Sequence, residues 1–386
     1  MNTALNELRS KSSLLFGTCI LAGIHITPSL HGSQMHQDIY RHMHVLLGQA
    51  QLASAASLDT IQSMLIFSMW DLRPARDYDH GSSWLLSGMA AMKMVITTPF
   101  EQLLQTSGIE EEGRAREIMR TWNLICLCQL QFSVGSGRPP VIASQYFDQC
   151  AKVIEFPSYN HRDELVLSGV NLYRVLWELT SSNSPVWPEM QKLRKSQEHI
   201  YNLDSSEPLR FAYSCAYLIL ARRTLQHMND PVGKTSSEFD NALPFAKFAV
   251  HHAHQVLRLF LSMSEMTTYI HPAYENLLCS FAMVTLAEFS PHVTEVSETL
   301  TLMERVISHI QRGGKAEPVS RWSLNKIRQH ASGCCEADLF VTRTEGAEEL
   351  DPSMTSHAPK SSWLDNDWGL ELDFPSLEEM FFGNVT

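Results

Sequence analysis

The sequence of 386 residues contains eight cysteines, and no two of them form a C-x-x-C pair. Scattered cysteines indicate a reducing compartment in which they act as small apolar side chains, so we expect no disulfide framework. Long apolar runs are also lacking. The stretch from Leu14 to Ile26 is too short to span a bilayer, and no clear small-residue cleavage site follows it. We therefore expect neither a membrane protein nor a secreted one.

Catalytic and nucleotide-binding motifs are lacking as well. The sequence contains no G-x-S-x-G, H-E-x-x-H, G-x-G-x-x-G or P-loop pattern. His251 and His254 would share one face of a helix, but no acid at helical spacing completes a metal set. His36, His42 and His44 are more typical of solvated or capping groups. We therefore expect no enzyme activity, no cofactor and no metal site.

Basic residues are too few and too scattered for a nucleic-acid-binding surface. The formal net charge is -12, and residues 345–386 contain ten acids and one base, which leaves the rest of the chain nearly neutral. Non-specific binding to DNA or to anionic lipid requires clustered Lys and Arg. The composition therefore argues against both ligands, and it makes the C-terminal region the charged part of the protein.

Helical periodicity is present through most of the chain. Apolar residues recur three and four positions apart, as in Ile39, Met43 and Leu46, which is the pattern of an amphipathic helix. The next helix is predicted to open with a capping residue just after Leu58 and to end at Pro74. Further candidate helices span 79–97, 113–133, 143–154, 162–182, 185–203, 205–228, 241–263, 271–289, 293–311 and 319–331. The predicted fold class is all-α, an irregular array of about a dozen packed helices.

Composition divides the chain into three parts. Residues 1–333 are predicted to form the helical domain, and residues 334–362, which are polar and poor in aliphatic side chains, are predicted to form a flexible linker. Residues 363–386 contain five aromatics and six acids, with no Lys or Arg. Interleaved acids and aromatics are typical of a disordered activation segment, in which charge repulsion keeps the apolar side chains exposed.

The acidic-aromatic tail, residues 363–386, is predicted to bind a partner through its large apolar side chains. Ser376 to Glu379 fits a capping box, so a short helix could form on binding and enter a hydrophobic groove. A tail that instead packs back on the helical domain is the alternative. The candidate partner-binding residues are Trp363, Leu364, Trp368, Leu370, Phe374, Leu377, Met380, Phe381 and Phe382.

Three segments of the helical domain resemble the regulatory middle region of fungal zinc-cluster transcription factors. They are the helix 57–68 (SLDTIQSMLIFS), the segment 81–90 (GSSWLLSGMA), and a helix with an internal Trp that ends in G-R-P-P, at 116–142. The motif residues with expected structural roles are Trp84, Trp122, Gly137, Arg138, Pro139 and Pro140. We expect both tryptophans in the core, and we expect Arg138 to anchor a corner or, less simply, to contact a ligand.

The resemblance implies a nuclear transcription regulator whose helical domain restrains an activating tail. Its partners would be transcription coactivators or mediator-type proteins. Family members carry a DNA-binding cluster of six cysteines ahead of this region, and this sequence contains none. DNA contact is therefore expected to be absent or to come from dimerisation with a DNA-binding zinc-cluster factor. A dominant-negative partner of such factors, and a helical ligand-binding protein or enzyme, are the alternatives.

Overall fold

The structure is a computed structural model that describes residues 2–27, 29–53, 56–70, 72–74, 83–105, 108–180, 186–229, 239–264, 271–293, 295–312 and 318–341. Within these ranges the chain forms α-helices and short 3₁₀ segments, and no β-strand. The predicted all-α class is confirmed. In the described part of the chain, every helix is too short or too polar to cross a lipid bilayer.

Fifteen α-helices lie within the described residues, and α7 and α10 are single turns. Their bounds are α1 Asn2–Lys11, α2 Ser13–Ile26, α3 Gln34–Leu52, α4 Leu58–Met69, α5 Ser83–Thr97, α6 Ile109–Ser136, α7 Ser144–Phe147, α8 His161–Thr180, α9 Val186–Ser196, α10 Glu198–Tyr201, α11 Glu207–Asn229, α12 Phe239–Ser264, α13 Ala273–Glu288, α14 Val296–Arg312 and α15 Pro318–Val341. The backbone of α15 thus continues past the predicted domain boundary at residue 333.

Two of the candidate helices are each divided in the structure. The segment predicted at 143–154 begins as α7 and continues as a 3₁₀ segment, Asp148–Glu155. The segment predicted at 185–203 breaks at Gln197, whose φ of -99° and ψ of 14° are not helical. Apolar spacing alone did not distinguish these breaks from a continuous helix, because both forms place the same side chains toward the core.

Serine side chains define the starts of three helices. Ser12, Ser33 and Ser57 precede α2, α3 and α4, and each hydroxyl accepts a hydrogen bond of 3.2 Å from the backbone N–H three residues later. The capping residue of α4 is therefore Ser57, before Leu58, and the sequence-based placement after Leu58 was wrong. The reason is geometric: the extended φ and ψ of Ser57 aim its side chain at the first free N–H groups.

The helix α6 lies at the centre of the first half of the protein. It packs against α4, α5 and α8. In the second half, α11 packs against α12, α12 packs against α13 and α14, and α8 contacts α11. Met119, Trp122 and Ile125 of α6 are fully buried. Their spacing of three keeps them on one face of the helix, and the neighbouring helices pack against this buried face of α6.

A buried ion pair connects α11 to α13. Arg222 is only 5% exposed, and its guanidinium donates a hydrogen bond to the carboxylate of Glu288. The same guanidinium lies 5.5 Å from the ring centroids of both Phe281 and Phe289. Aromatic faces and a carboxylate together compensate a charge that burial would otherwise penalise.

We predict that Arg222→Ala lowers the free energy of unfolding by about 3–5 kcal/mol, because the largely buried carboxylate of Glu288 then loses its ion-pair partner. Arg258→Ala is the matched control: Arg258 pairs with Glu298 at 2.6 Å, but both side chains are about half exposed, so the expected loss is below about 1 kcal/mol. Urea unfolding followed by far-UV circular dichroism measures both. Equal losses in the two variants would contradict the assignment.

Candidate functional site

The two recognised motifs of the first half contact each other in the structure. Trp84 lies in the first turn of α5, and its indole Nε1–H donates a hydrogen bond of 3.2 Å to the carbonyl oxygen of Pro139. The guanidinium carbon of Arg138 lies 5.6 Å from the centroid of the Trp84 ring. Gly137 ends α6 with a φ of 67°, in the left-handed region that favours glycine. The segment Gly137 to Pro140 therefore turns back over Trp84.

Trp84 and Trp122 differ in burial. Trp84 is only partly buried and forms part of the surface around the corner after α6. Trp122 is completely buried, its Nε1–H donates to the carbonyl oxygen of Tyr146 at 3.2 Å, and its ring centroid lies 4.9 Å from that of Phe100. The indole N–H of each tryptophan is satisfied by a backbone carbonyl, which fixes the ring against the following segment of chain.

Gly88 permits the segment that follows α6, Gly137 to Val141, to lie close to α5. The motif sequence alone did not indicate this role. A Cβ atom at this position would lie 2.7 Å from Val141 Cγ2 and 3.0 Å from Gln129 Oε1. The amide of Gln129 also donates a hydrogen bond of 3.3 Å to the carbonyl oxygen of Trp84. A glycine inside a helix normally lowers stability, and here it leaves room for the neighbouring chain.

We predict that Gly88→Ala lowers the free energy of unfolding by about 1–2 kcal/mol, because the clash with Val141 outweighs the better helix propensity of alanine. The double variant Gly88→Ala with Val141→Ala should recover most of this loss. Gly23→Ala on the exposed face of α2, where a Cβ meets nothing within 4 Å, should stabilise the protein by about 0.5–1 kcal/mol. Thermal unfolding of the four proteins tests this, and no recovery in the double variant would contradict it.

A second junction joins α6 to the start of α8. The guanidinium of Arg120 forms a bidentate pair with Asp163, with Nε to Oδ1 at 2.6 Å and Nη2 to Oδ2 at 2.7 Å. Asp163 Oδ2 also accepts a hydrogen bond from the backbone N–H of Asn160, whose own side-chain oxygen accepts from the N–H groups of Arg162 and Asp163. This reciprocal cap satisfies the backbone N–H groups of Asn160, Arg162 and Asp163 and attaches the start of α8 to α6.

The pKa of Asp163 is lowered below its ordinary value. Burial by itself raises the pKa of this carboxyl, but the hydrogen bonds from Arg120 and from the backbone of Asn160, with the charges of Arg120 and Arg116, lower it by more. The same contact raises the pKa of Arg120. Both directions favour the charged pair, so the cap depends on an ionised Asp163.

We predict that the Asp163 pair is lost in acid. A carboxyl whose pKa is lower in the folded state contributes stability above about pH 4, the ordinary Asp pKa, and loses it as the pH falls through the folded-state value. The free energy of unfolding of the wild type should therefore fall more steeply below about pH 4 than that of Asp163→Asn. Asp148→Asn, at an exposed ion pair with Arg174, is the control and should keep the wild-type slope. Urea titrations at stepped pH measure this, and parallel slopes for wild type and Asp163→Asn would refute it.

The histidines and cysteines of the described residues lie in surroundings typical of structural side chains. No group of three or more His, Cys, Asp or Glu side chains in this part of the chain is arranged to hold a metal ion. His254 Nε2 lies 2.8 Å from the hydroxyl of Thr299. Burial, with a smaller contribution from the charge of His251, lowers the pKa of His252 to about 4. Burial likewise raises the pKa of Cys128 to about 12, which leaves the thiol protonated at neutral pH.

The predicted partner-binding residues lie outside the described residues. These are Trp363, Leu364, Trp368, Leu370, Phe374, Leu377, Met380, Phe381 and Phe382. The described structure therefore brings together the motif residues Trp84 and Gly137 to Pro140, and it places Trp122 separately in the core beside Tyr146. The junction of α6 and α8 contained no signal that sequence reasoning recognised, although Asn160 and Asp163 have the spacing of a capping box.

A family model for the middle domain of the transcriptional activator of proteases prtT matches residues 1–313. The chain belongs to this family. The resemblance to the middle region of fungal transcription factors is thereby confirmed. The description of this family names a transcriptional activator. Both contacting motifs, and the junction of α6 with α8, lie within the matched residues.

Individual relatives agree with the family match. The chain is similar to the transcriptional activator of proteases prtT of Aspergillus niger, with 22% identity over 368 residues, which cover 94% of this chain and 54% of that protein. The Aspergillus clavatus protein of the same name is 22% identical over 77% of this chain and 47% of its own length. An uncharacterized transcriptional regulatory protein of Schizosaccharomyces pombe is 22% identical over 58% of this chain and 43% of its own length. The chain thus spans about half the length of the curated relatives it matches, and no solved structure matches it.

Proposed function

We propose that the protein is a nuclear regulator of transcription that activates through protein contacts of its acidic-aromatic tail. The observation that carries the proposal is the alternation of five aromatics and six acids in residues 363–386 of a chain whose body belongs to a transcription-factor family. The two Aspergillus relatives described above are named as transcriptional activators, which supports activation over repression.

The proposed partners are transcription coactivators or mediator-type proteins with a hydrophobic groove. Trp368 and Phe381 would supply buried anchors, because aromatic side chains contribute most of the binding energy at interfaces of this kind. The neighbouring acids would keep the free tail soluble and would accelerate the encounter with a basic rim. The capping box that begins at Ser376 would start a short helix on binding.

The restraint of the tail is proposed to involve the exposed face of α15. Trp322 is 41% exposed, and the Nζ of Lys326 lies 4.9 Å from its ring centroid. Arg321 is exposed beside Trp322, and residues 318–331 contain no acid. A basic face with an aromatic side chain complements a tail that contains acids and aromatics, and such attraction weakens in salt.

The length of the chain supports the same contact. The stretch of α15 from Trp322 to Val341 is about 28 Å long at the α-helical rise per residue. The part of the predicted linker after α15, residues 342–362, would span about 25 Å as a flexible chain. A linker whose average reach equals the distance to be spanned gives the highest effective concentration for an intramolecular contact. The tail could therefore fold back onto Trp322 at little entropic cost.

DNA contact is assigned in this proposal to a paired zinc-cluster factor. Residues 1–344 are nearly neutral and contain no run of Lys and Arg that would contact DNA phosphates. Dimerisation with a DNA-binding factor would bring the tail to a promoter. The same pairing without a functional tail would make the chain a dominant-negative partner, which is the alternative within this class.

We predict that residues 340–386, fused to a heterologous DNA-binding domain, activate a reporter gene. The double variant Trp368→Ala with Phe381→Ala should reduce this activation at least tenfold, since two anchors of about 1–2 kcal/mol each are lost. Asn366→Ala with Asn384→Ala is the matched control, because it changes two polar side chains of the same tail and should keep full activity. Full activity in the aromatic variant would refute the anchor assignment.

The restraint is tested in the same reporter. The full chain fused to the DNA-binding domain should activate less than the tail alone, and Trp322→Ala in the full chain should raise activation. Leu52→Ala, which changes another exposed apolar side chain on α3, should not. If Trp322→Ala and Leu52→Ala give the same activation, the tail is not restrained by α15.

A further inference from the structure

The outward face of α5 consists of large apolar side chains. Leu85, Met92 and Ile96 are 50%, 51% and 73% exposed. Met89 lies between them and is partly buried. The spacing of four, three and four residues keeps these side chains within about 60° of one another around the helix axis, along a length of about 17 Å. We call the four residues the α5 stripe.

The buried side of α5 includes small residues and the one charged side chain of the helix. Gly88, Ala90 and Ala91 are buried. Lys93 is 8% exposed, and its Nζ donates a hydrogen bond of 2.6 Å to the carbonyl oxygen of Ala53. An ordinary surface helix places its charges in water and its large apolar side chains in the core, whereas a helix that is apolar all round is typically covered on every side. The α5 stripe therefore has the composition of a contact surface.

The α5 stripe offers no charge to a charged partner. Its four side chains are apolar, and Lys93 of the same helix is directed at Ala53. The acidic-aromatic tail would place its acids on this face without a base of α5 to meet them, and its carboxylates would lose hydration there. A second uncharged stripe is the better match, because apolar surfaces are buried against each other without any counter-charge.

The spacing of the α5 stripe is the same in both directions along the helix. Four, three and four residues separate its members whether they are counted from Leu85 or back from Ile96. A two-fold axis midway between Met89 and Met92 would therefore place Leu85 of one copy against Ile96 of the other, and Met89 against Met92. Apolar residues three and four apart are also what two packed helices interdigitate, and methionine side chains adapt easily to each other.

We propose that the α5 stripe joins two copies of this chain, with α5 antiparallel to α5 across a two-fold axis. Four side chains on each copy are fewer than the roughly 20–30 residues a side of a standard interface, so the dimer is weak and forms at micromolar concentrations. The surface lies in the helical domain. The proposal depends neither on the activity of the tail nor on pairing with a DNA-binding factor.

Sedimentation velocity of the full chain at concentrations from about 1 to 200 µM tests the dimer, and we expect the wild type to pass from monomer to dimer in this range. Met89→Glu and Met92→Lys should each weaken association about tenfold, because each places an unpaired charge at the centre of the interface. Leu243→Glu, at a 41% exposed position on α12, is the matched control and should leave association unchanged. A wild type that stays monomeric throughout, or an equal loss in Leu243→Glu, would overturn the proposal.

The double variant Met89→Glu with Met92→Lys tests the antiparallel geometry. Each Glu then meets a Lys of the other copy, so the double variant should associate more tightly than either single variant. Parallel helices would bring like charges together, and a double variant no tighter than the single ones would contradict the pairing. Unchanged association in Met89→Glu would also overturn it, and a simultaneous rise in activation by the full chain in the reporter would assign the stripe to the tail. The isolated tail, residues 340–386, does not contain α5, so its activity is tested separately.

Discussion

Arg120 on α6 and Asp163 in the first turn of α8 form a bidentate ion pair, and the arrangement of the first half of the body depends on it. The pair does three things at once: it completes the cap of α8, it attaches that helix to α6, and it forms one side of a cavity between them. Because the hydrogen bonds and charges that lower the pKa of Asp163 stabilise its ionised form, the junction is maintained by electrostatics as well as by apolar burial.

The corner after α6 shows how a recognisable motif can have a modest physical role. Gly137 supplies the left-handed φ, Pro139 supplies a carbonyl acceptor, and Trp84 supplies the indole N–H that meets it. Gly88 leaves the space that Val141 needs. The motifs that identify the family are therefore contacts between α5 and the end of α6, and they describe how the body is built more than what it binds. The proposed activation lies elsewhere, in the tail.

The helical domain and the acidic-aromatic tail of this protein differ in composition and in charge. The helical domain buries a continuous apolar core, and residues 1–344 are nearly neutral because their acids and bases almost balance. The tail places acids between aromatics. In the proposed function, its apolar side chains contribute binding free energy only when a partner covers them. A transcription regulator organised in this way can keep a stable scaffold while its activating contacts remain weak, exchangeable and sensitive to salt.

The sequence by itself determined the all-α class, the approximate positions of most helices, the acidic-aromatic tail and the family, because periodicity, composition and motif order are local properties of the chain. Only the tertiary structure decided that Trp84 meets Pro139, that Gly88 must lack a side chain, and that Arg120 reaches Asp163. These contacts join residues more than forty positions apart, and no local pattern specifies which faces of two helices will meet. The Oδ1 of Asn123 was likewise decided by the tertiary structure. Its burial, without a donor among the described residues, arises only when α6, α8 and the 3₁₀ segment pack together.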